Sequence, residues 1–443
     1  MREEISMLEK NSTWEMVERP GNKPVVSVRW IFKTKLNLDG SIQKHKTRLV
    51  AKGYTQKPEV DFNETFAPVA RLDIIRTLIA LATQKNWKLF QLDVKSAFLN
   101  GVLKEEAYIE QPEGFEVKGA KDKVYKLRKA LYGLKQVPRA WYGEIDTHPL
   151  KCEFQRSISE ATLYVKIKED DIVYTGSCNE MLKKFKDDMM NKYEMTNLGL
   201  LHHFLGMGVI QKERRIFIHQ QKYAKTLLNK FGLKDCIDEE TYKKIVGSLL
   251  YLIATKPDIM YSASLLARFM YGPSKKHFGV ARRILSDWSG SEDDMKSTFG
   301  YAFSFGSGAF SWASVTQSSV ALSTAEAEYV SDVEATTQEI WLRFVLCDFR
   351  EEQLEATPIM CDNTFAIAMS KNPVFHQRSK HIGRKFHFIR DAIQEGVVGM
   401  IYCRCQDQIA DFFTKALTRE RFCCLRELLG VKSVKHLEGS VDV

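Results

Sequence analysis

Short alternating segments and longer periodic segments follow one another in the first part of the chain. The stretch VVSVRWIFKTKL alternates apolar with polar residues and predicts a β-strand, whereas DIIRTLIALATQ has apolar residues at helical spacing. The segment KLFQLDV predicts another strand, with Phe90, Leu92 and Val94 on one face. Because successive side chains of a strand point to opposite faces, Asp93 is expected on the other face.

The second half of the chain changes from a helical to a mixed pattern. Residues 223–270 have helical periodicity, with Gly232 and Pro257 as breaks. The stretch STFGYAFSFGSGAFSWASV alternates on both sides of a Gly-Ser-Gly turn and predicts a hairpin. Ser323 and Glu326 form a capping box before a long predicted helix, and the predicted strands PIMCDN and VVGMIYC follow, with helical segments between them. A hairpin followed by alternating helices and strands predicts an α/β domain.

Length and composition indicate a large folded protein with an uneven charge distribution. The chain has 443 residues, of which 44% are hydrophobic, enough for about two or three domains. The formal net charge is +9, and the segment 23–53 contains eight basic residues and one acid. Such a segment suits a polyanion such as nucleic acid, and a solvated basic face has the same composition.

Cysteine content and hydropathy restrict the cellular compartments in which the protein is expected. The nine cysteines include no Cys-x-x-Cys pair, which argues against a disulfide framework and a zinc ribbon. No segment approaches the roughly 20 apolar residues that span a bilayer, and the amino terminus, MREEISMLEK, lacks the apolar core of a signal peptide. We therefore expect a soluble protein that is not secreted, has no membrane partner and is located in the cytoplasm, in particles, or in the nucleus.

Two adjacent carboxylates, Asp170 and Asp171, begin a short apolar run in IKEDDIVYTG. A solvated turn is one interpretation of this pair, and a divalent cation that relieves their repulsion is the other. Phosphoryl transfer at a nucleotide 3′ end uses two divalent ions, held by hard oxygen ligands from two or three carboxylates. Asp93, 77 residues upstream of Asp170 on a predicted strand, supplies a third carboxylate.

Several longer stretches resemble one family. The stretches RLVAKGYTQ, ETFAPVARLDIIRTLIALA, QLDVKSAFLNG, QPEGF and KALYGLKQVPRAWY resemble the reverse transcriptase of copia-type long-terminal-repeat retrotransposons. The stretch VGSLLYLIATKPDIMYSASLLARFM resembles the connecting segment of the same Pol polyproteins. Three further stretches resemble their ribonuclease H: ALSTAEAEY, CDNTFAIAMSKNPVFHQRSKHI and QIADFFTKAL. The resemblance covers nearly the whole chain.

The resemblance implies a fold and a domain order. We expect an α+β polymerase domain with palm and fingers and a helical connection, followed by an α/β ribonuclease H-like domain. The implied domains are residues 1–220 for fingers and palm, 221–285 for a shortened helical thumb or connection, 286–425 for the ribonuclease H-like domain, and 426–443 for a carboxyl-terminal tail.

The resemblance also implies a polymerase site that uses two Mg²⁺ ions. Asp93 corresponds to the first metal-binding aspartate of the palm, and Asp170 and Asp171 correspond to the pair at the turn of the catalytic hairpin. The implied substrate-binding residues are Phe98 under the incoming sugar, Gln136 against the nucleotide, and Lys46 and Arg48 on the triphosphate. Taken alone, Phe98 has the features of a core residue, and the two cations those of a solvated strand edge.

A second implied site is a nuclease. Glu328, Asp362 and Asp411 match the second, third and fourth members of an Asp-Glu-Asp-Asp cluster that holds two Mg²⁺ ions around one RNA phosphate, with water as nucleophile. Asp287 matches a second, non-catalytic aspartate of the family's Ser-Asp-x-Asp-Trp stretch, and helical spacing continues through it. We therefore expect the first nuclease ligand and its strand to be missing.

The catalytic hairpin also departs from the family pattern. Where the family has Tyr-Val-Asp-Asp, this chain has Lys168 and Glu169 before the two aspartates. We expect ATLYVKI to form a replacement strand, so that Asp170 and Asp171 still lie at a hairpin turn. A displacement of this turn matters because a shift of about 1 Å can lower a rate about a hundredfold.

Three functional hypotheses follow. The leading one is an RNA-directed DNA polymerase with ribonuclease H, acting on an RNA template, a DNA primer, deoxynucleoside triphosphates and the RNA/DNA hybrid. The alternative is a catalytically inactive, truncated retrotransposon remnant that at most binds nucleic acid. The third is a metal hydrolase built on His202 and His203, or on His376, His381 and His387. We disfavour it because adjacent histidines diverge on a strand, and a six-residue spacing is poor helical register.

Overall fold

The structure is a computed structural model. It describes residues 1–36, 41–168, 171–172, 179–231, 238–286, 298–306, 308–317, 321, 323–371 and 383–432. The strands in these ranges are β1 Trp14–Glu18, β2 Val25–Val26, β3 Val28–Leu36, β4 Ile42–Ala51, β5 Phe90–Val94, β6 Val102–Ile109, β7 Lys123–Lys129, β8 Gln155–Arg156, β9 Tyr164–Val165, β10 Ile167–Lys168, β11 Asp171–Ile172, β12 Met195–Leu200, β13 His203–Phe204, β14 Met207–Lys212, β15 Arg215–His219, β16 Thr298–Ser304, β17 Ala309–Thr316, β18 Thr357–Cys361 and β19 Val398–Tyr402. The α-helices are α1 Arg2–Lys10, α2 Leu72–Gln84, α3 Val137–Lys151, α4 Asn179–Lys192, α5 Gln221–Phe231, α6 Glu239–Leu252, α7 Met260–Ala267, α8 Lys275–Ser286, α9 Thr324–Asp348, α10 Thr364–Lys371, α11 Gly383–Gln394 and α12 Arg419–Leu428.

The chain forms two compact units that are not continuous in sequence. The first unit contains residues 1–70 and 91–199, and the second contains residues 71–90 and 200–443. Helix α2 and the segment after it therefore pack with the carboxyl-terminal part of the chain. The functional domain boundaries implied by the sequence remain predictions.

A four-stranded sheet is central to the first unit. Its strand order is β1-β7-β6-β2, with β7 antiparallel to β1 and β6, and β2 parallel to β6. Trp14 stacks on Tyr125, with ring centroids 4.5 Å apart. Leu8, Leu49 and Leu99 are fully buried in the same core. Burial of each such side chain contributes about 1.5–3 kcal/mol.

The alternating, basic segment of the first unit forms a long antiparallel hairpin of β3 and β4. This confirms the strand predicted for VVSVRWIFKTKL, apart from a break at Ser27. The register sets Lys33 opposite Lys46 and Ile31 opposite Arg48, so these cations share one face. Phe32 is on the other face of β3 and is 66% exposed.

Two short strand pairs surround the predicted palm carboxylates. Strand β5 is confirmed and pairs with β12. Strand β10 pairs antiparallel with β11, with Ile167 opposite Ile172 and Lys168 opposite Asp171. The predicted replacement strand ATLYVKI is present as two short strands, β9 and β10, of which β9 pairs with β8.

Helices α5 to α8 build one core of the second unit, which confirms the helical prediction for residues 223–270. Asp238 caps α6 by accepting a hydrogen bond from the Thr241 backbone N–H at 2.7 Å. Tyr242 is fully buried, and its hydroxyl donates to the Leu266 carbonyl at 2.9 Å. The predicted break at Pro257 is confirmed by a 3₁₀ turn, Pro257–Ile259, and Gly232 lies outside the described residues.

The last part of the second unit confirms the predicted α/β order. Strands β16 and β17 form the hairpin, and the Ser323 hydroxyl accepts a hydrogen bond from the Glu326 N–H at 3.1 Å where α9 begins. Strands β18 and β19 are parallel and are connected through α10 and α11, as a parallel pair requires. Among the described strands, β16–β17 and β18–β19 form separate two-stranded sheets.

Helix α2 is attached to the β16–β17 hairpin by a buried polar cluster. The Arg76 guanidinium is 2.6 Å from Asp73 Oδ1 and 3.8 Å from the ring centroid of Trp312. The Ser311 hydroxyl donates to Asp73 Oδ1 at 3.2 Å. Only 8% of Arg76 is exposed, so the arginine of this ion pair is shielded from solvent, whereas the Asp73 side chain is 31% exposed.

Candidate functional site

Asp93 has the exposure that the strand pattern predicts. It lies on β5 with its side chain exposed, between the half-buried Leu92 and Val94. Its carboxylate makes no hydrogen bond or ion pair with any residue that the structure describes. An exposed carboxylate without a protein partner can accept a hard cation at low cost.

The other two predicted palm carboxylates are only partly described. Asp171 belongs to β11, opposite Lys168, and Asp170 lies outside the described residues. A strand pair therefore flanks the Asp-Asp segment, as the sequence predicts. The convergence of Asp93 with Asp170 and Asp171 remains a prediction.

A tight turn follows β5 and positions Phe98. Ser96 has φ 49° and ψ 41°, a left-handed conformation that is uncommon for a residue with a side chain. Such conformations cost about 1–3 kcal/mol and concentrate at functional sites. The turn leads into a 3₁₀ helix, Ala97–Asn100, on which Phe98 packs edge-to-face against Tyr132 at 5.7 Å. The sequence did not identify Ser96, because its special conformation has no marker such as glycine.

Arg48 and Phe98 meet on the same tyrosine. The Arg48 guanidinium is 4.5 Å from the centroid of Tyr132, the ring that Phe98 also contacts. Partial burial raises the pKa of Tyr132, so its hydroxyl stays protonated near neutral pH. Lys46 is two residues before Arg48 on β4 and is exposed. Tyr132 is thus a site residue that the sequence analysis missed, although it lies within the family-like stretch KALYGLKQ.

Two glycines allow the segments that carry these residues to approach closely. The Ala51 N–H donates to the Tyr132 carbonyl at 2.7 Å. A Cβ on Gly53 would lie 2.0 Å from the Gly133 carbonyl oxygen, and Gly133 itself has φ +96°. Only glycine fits at both positions. The stretches RLVAKGYTQ and KALYGLKQ therefore pack directly against each other.

Gln136 is held in place by a second glutamine. It is 1% exposed and immediately precedes α3. Gln56 Nε2 donates to Gln136 Oε1 at 3.2 Å, and Gln56 Oε1 accepts from the Lys135 N–H at 2.9 Å. Contact between Gln136 and a nucleotide remains a prediction. Gln56 was missed, because no local pattern indicates a partner 80 residues away.

Two of the predicted nuclease carboxylates, Glu328 and Asp362, are close enough to interact electrostatically. Burial raises the pKa of Glu328, and the charges of Asp362 and Asp411 raise it further, whereas Lys415 lowers it. Asp362 directly follows β18. The Cys405 thiol forms a hydrogen bond with Asp362, and this contact raises the pKa of Cys405. The charges of Asp362 and Asp411 are thus close enough to Glu328 to oppose its ionisation.

Asp411 is already neutralised by protein cations. It is 5% exposed on the 3₁₀ helix Ile409–Phe413, close to the predicted helix start. Lys415 Nζ is 2.8 Å from its Oδ1, and the Arg421 guanidinium of α12 contacts its Oδ2. Arg421 was not predicted to have a role. A metal ion at Asp411 would have to compete with both cations.

Asp332 is a buried carboxylate that the sequence analysis did not single out. It lies one turn after Glu328 on α9 and is 5% exposed. Burial raises its pKa to about 8, with additional contributions from Glu328 and Asp362, while a hydrogen bond with Cys361 lowers it. Its Oδ2 has no hydrogen-bond partner in the described structure. The four-residue spacing from Glu328 is the signal that could have identified it.

The carboxylates fit magnesium by ligand type but do not form a closed site. Across the described ranges, no three His, Cys, Asp or Glu side chains are arranged to hold one metal ion. His202 and His203 belong to no such group, and His376, His381 and Asp287 lie outside the described residues. Asp93, exposed and without an ion pair to any described residue, supplies the hard oxygen ligand that Mg²⁺ prefers. The chain thus offers the correct donor chemistry.

Hydropathy of the described helices gives one further result. None of the helices in the described segments is both long enough and apolar enough to cross a membrane.

Comparisons with family models and with known proteins point to the same family. A family model described as reverse transcriptase (RNA-dependent DNA polymerase) matches residues 11–243. The chain is 34% identical over 499 residues to the retrovirus-related Pol polyprotein from transposon TNT 1-94 of Nicotiana tabacum, covering 98% of this chain and 38% of the relative. It is 35% identical over 492 residues to the corresponding polyprotein from transposon RE1 of Arabidopsis thaliana, covering 98% of this chain and 34% of the relative. The chain therefore spans about a third of the length of these curated relatives.

A solved structure with a similar fold is a foamy viral protease-reverse transcriptase in complex with double-stranded DNA. The TM-score is 0.51 at 11% sequence identity, and the match covers 91% of this chain and 69% of that chain. At this identity the likeness establishes the fold alone.

Proposed function

The chain belongs to the reverse transcriptase (RNA-dependent DNA polymerase) family, and on this premise we propose that it is an RNA-directed DNA polymerase that extends a DNA primer on an RNA template. Its relatives are named as transposon Pol polyproteins, which supports a template of retrotransposon origin. The observation that carries the proposal is the exposed Asp93 near the end of β5, which pairs with none of the described residues and precedes the strained turn that positions Phe98.

In the proposed mechanism, Asp93, Asp170 and Asp171 would hold two Mg²⁺ ions, which would supply activation of the primer 3′-hydroxyl and stabilisation of the leaving pyrophosphate. Lys46 and Arg48 bind the triphosphate, because a guanidinium can form paired hydrogen bonds to phosphate oxygens. The contact of the Arg48 guanidinium with Tyr132 restricts its orientation before substrate arrives.

Sugar selection is proposed to depend on an aromatic pair. Phe98 lies under the incoming sugar and excludes a 2′-hydroxyl by steric clash, and Tyr132 supports the Phe98 ring from its edge. Gln56 keeps the amide of Gln136 at the start of α3, from which it is proposed to contact the nucleotide.

Primer extension tests the proposal. The full chain is incubated with poly(rA), an oligo(dT) primer, dTTP and Mg²⁺, beside an Asp93→Asn variant and an Asp122→Asn variant as a matched control at another exposed aspartate of the first unit. We expect the wild type and Asp122→Asn to extend the primer, and Asp93→Asn to be slower by on the order of a hundredfold or more. Extension by Asp93→Asn at the wild-type rate would refute the site, and no extension by the wild type would favour the inactive remnant.

We propose, as a second activity, cleavage of the RNA strand of an RNA/DNA hybrid at Glu328, Asp362 and Asp411. The effect of Asp362 and Asp411 on the pKa of Glu328 supports it, because it requires the three carboxylates to be near one another. Glu328 and Asp362 would hold the divalent cations, and Asp411 would join them if Lys415 and Arg421 give way. Cleavage that persists in Asp362→Asn, with the exposed Asp391→Asn on α11 as control, would exclude this site.

A further inference from the structure

A cysteine and a histidine meet at the carboxyl-terminal end of α3 in the first unit. The thiol of Cys152 forms a hydrogen bond with the His148 imidazole, with Sγ 3.7 Å from Nε2. Residues four positions apart lie on the same face of a helix, so α3 itself brings the two side chains together. Neither residue belongs to the proposed polymerase site or to the proposed nuclease site.

The imidazole of His148 has a fixed orientation and can act as a base near pH 7. It is only 9% exposed, and its ring packs edge-to-face on Tyr193, with centroids 5.9 Å apart. Burial lowers the pKa of His148, so the ring is neutral at pH 7 and Nε2 can accept a proton from the thiol. The charges that also act on this pKa are Lys192, which lowers it, Asp188 and Glu144, which raise it, and Lys151, which lowers it.

The thiol of Cys152 is accessible and has a cation close to it. Cys152 is partly exposed. The Lys166 ammonium donates to the Cys152 carbonyl at 2.7 Å and pairs with Glu153 at 2.9 Å. This cation offsets the partial negative charge that backbone carbonyls place at the end of a helix. Partial exposure, a neighbouring base and a nearby cation together are the surroundings in which cysteines become nucleophilic.

Other cysteines lack this arrangement. Among the cysteines that the structure describes, Cys152 is the one whose thiol forms a hydrogen bond with a histidine. Cys347 on α9 is exposed, and its thiol has no hydrogen-bond partner in the described ranges. Cys405 is also exposed, but its hydrogen bond with Asp362 raises the pKa of the thiol and so opposes its ionisation. Exposure alone therefore favours reaction at Cys347, whereas a neighbouring base favours Cys152.

We propose that Cys152 is a modification site that reacts with small soluble disulfides, such as glutathione disulfide, to form a mixed disulfide. His148 Nε2 accepts the thiol proton as Cys152 Sγ attacks one sulfur of the disulfide. A new S–S bond forms, the original S–S bond breaks, and the departing thiolate takes the proton from His148. One disulfide is consumed and one is formed, so no other oxidant takes part. This reaction does not depend on the proposed polymerase activity.

The size of the expected effect has an upper limit. An ordinary thiol is only a few per cent ionised at pH 7, so assistance by a base can raise its rate of attack by at most about thirtyfold. We expect about tenfold, because the hydrogen bond of Cys152 involves sulfur and is weak.

Peptide-resolved mass spectrometry of the full chain tests the proposal. The protein is incubated with glutathione disulfide at pH 7, and the remaining thiols are blocked with N-ethylmaleimide at successive times. Trypsin releases Cys152 in CEFQR and Cys347 in FVLCDFR, so the two thiols are followed in the same sample. The same reaction in concentrated urea gives the rates of both thiols without the fold. His148→Gln removes the base, and His45→Gln removes an exposed histidine of the same unit as a matched control.

The native wild type should modify Cys152 about tenfold faster than Cys347, and the two rates should become similar in urea. His148→Gln should lower the Cys152 rate to that of Cys347 or below it and leave Cys347 unchanged, and His45→Gln should match the wild type. Circular dichroism checks that the variants are folded; if His148→Gln is not, the comparison of native with urea-unfolded wild type decides. A native Cys152 that reacts no faster than Cys347, or a folded His148→Gln with the wild-type Cys152 rate, would overturn the proposal.

Discussion

Replacement of Arg76 by methionine should loosen both α2 and the β16–β17 hairpin. Methionine keeps most of the side-chain volume but removes the ion pair with Asp73 at 2.6 Å and the contact with the Trp312 ring at 3.8 Å. Removing one partner of a buried ion pair costs about 3–5 kcal/mol, because the other charge is left buried and unpaired. The charge left here is that of Asp73, whose side chain is 31% exposed, so the effect should be near the lower end of that range, about 3 kcal/mol.

Hydrogen exchange of the full chain measures this change locally. A loss of about 3 kcal/mol in opening free energy corresponds to amide exchange that is roughly two orders of magnitude faster. We expect this acceleration in both α2 and β17, and we expect none of it in Arg19→Met, which removes an exposed arginine of an ion pair. A Trp312→Leu variant completes a double-mutant cycle that isolates the contact with Arg76. Faster exchange in α2 with an unchanged β17 would refute the buried attachment.

Three further changes have definite expected results. Asp332→Asn should flatten the pH dependence of the unfolding free energy, measured with urea in EDTA. The folded protein keeps a proton on Asp332 up to about pH 8, whereas the ordinary pKa of an aspartate is 3.8, so wild-type stability should fall as pH rises between those values; an unchanged profile would contradict this. Gln56→Ala should cost about 1–3 kcal/mol, because it leaves the buried Oε1 of Gln136 without the Gln56 donor, and it should lower kcat/KM for dTTP; a loss of stability alone would confine Gln56 to a structural role. Arg421→Met should leave the buried Asp411 carboxylate with only one of its two cations and so destabilise α12, which faster hydrogen exchange of the α12 amides would show. Retained protection of these amides would indicate that Lys415 alone is enough to neutralise Asp411.

Local sequence signals identified most of the secondary structure. The alternation in STFGYAFSFGSGAFSWASV led directly to β16 and β17, and Ser323 begins α9 because a serine hydroxyl can satisfy a free backbone N–H. Both signals act over a few residues. The attachment of α2 to β17 depends instead on Asp73 and Ser311, which are 238 positions apart, and no periodicity reports such a contact.

The candidate sites show the same limit. Asp93, Glu328 and Asp362 were found because they occur in family-like stretches. Tyr132 and Arg421 were not, since their roles arise from the side chains they contact in the folded chain. Burial of an ionisable residue, as for Asp332 on an otherwise ordinary helix, likewise becomes visible only when the surrounding elements pack against it.

The central claim is that Asp93 shares divalent ions with Asp170 and Asp171, and iron-directed backbone cleavage tests it most directly. Fe²⁺ replaces Mg²⁺, and ascorbate with hydrogen peroxide generates hydroxyl radicals that cut the chain beside the bound ion. We predict fragments that end near residue 93 and near residues 170–171, both suppressed by excess Mg²⁺ and both lost in Asp93→Asn. Cleavage near one of these positions without the other, or cleavage that Asp93→Asn leaves unchanged, would contradict a shared metal site.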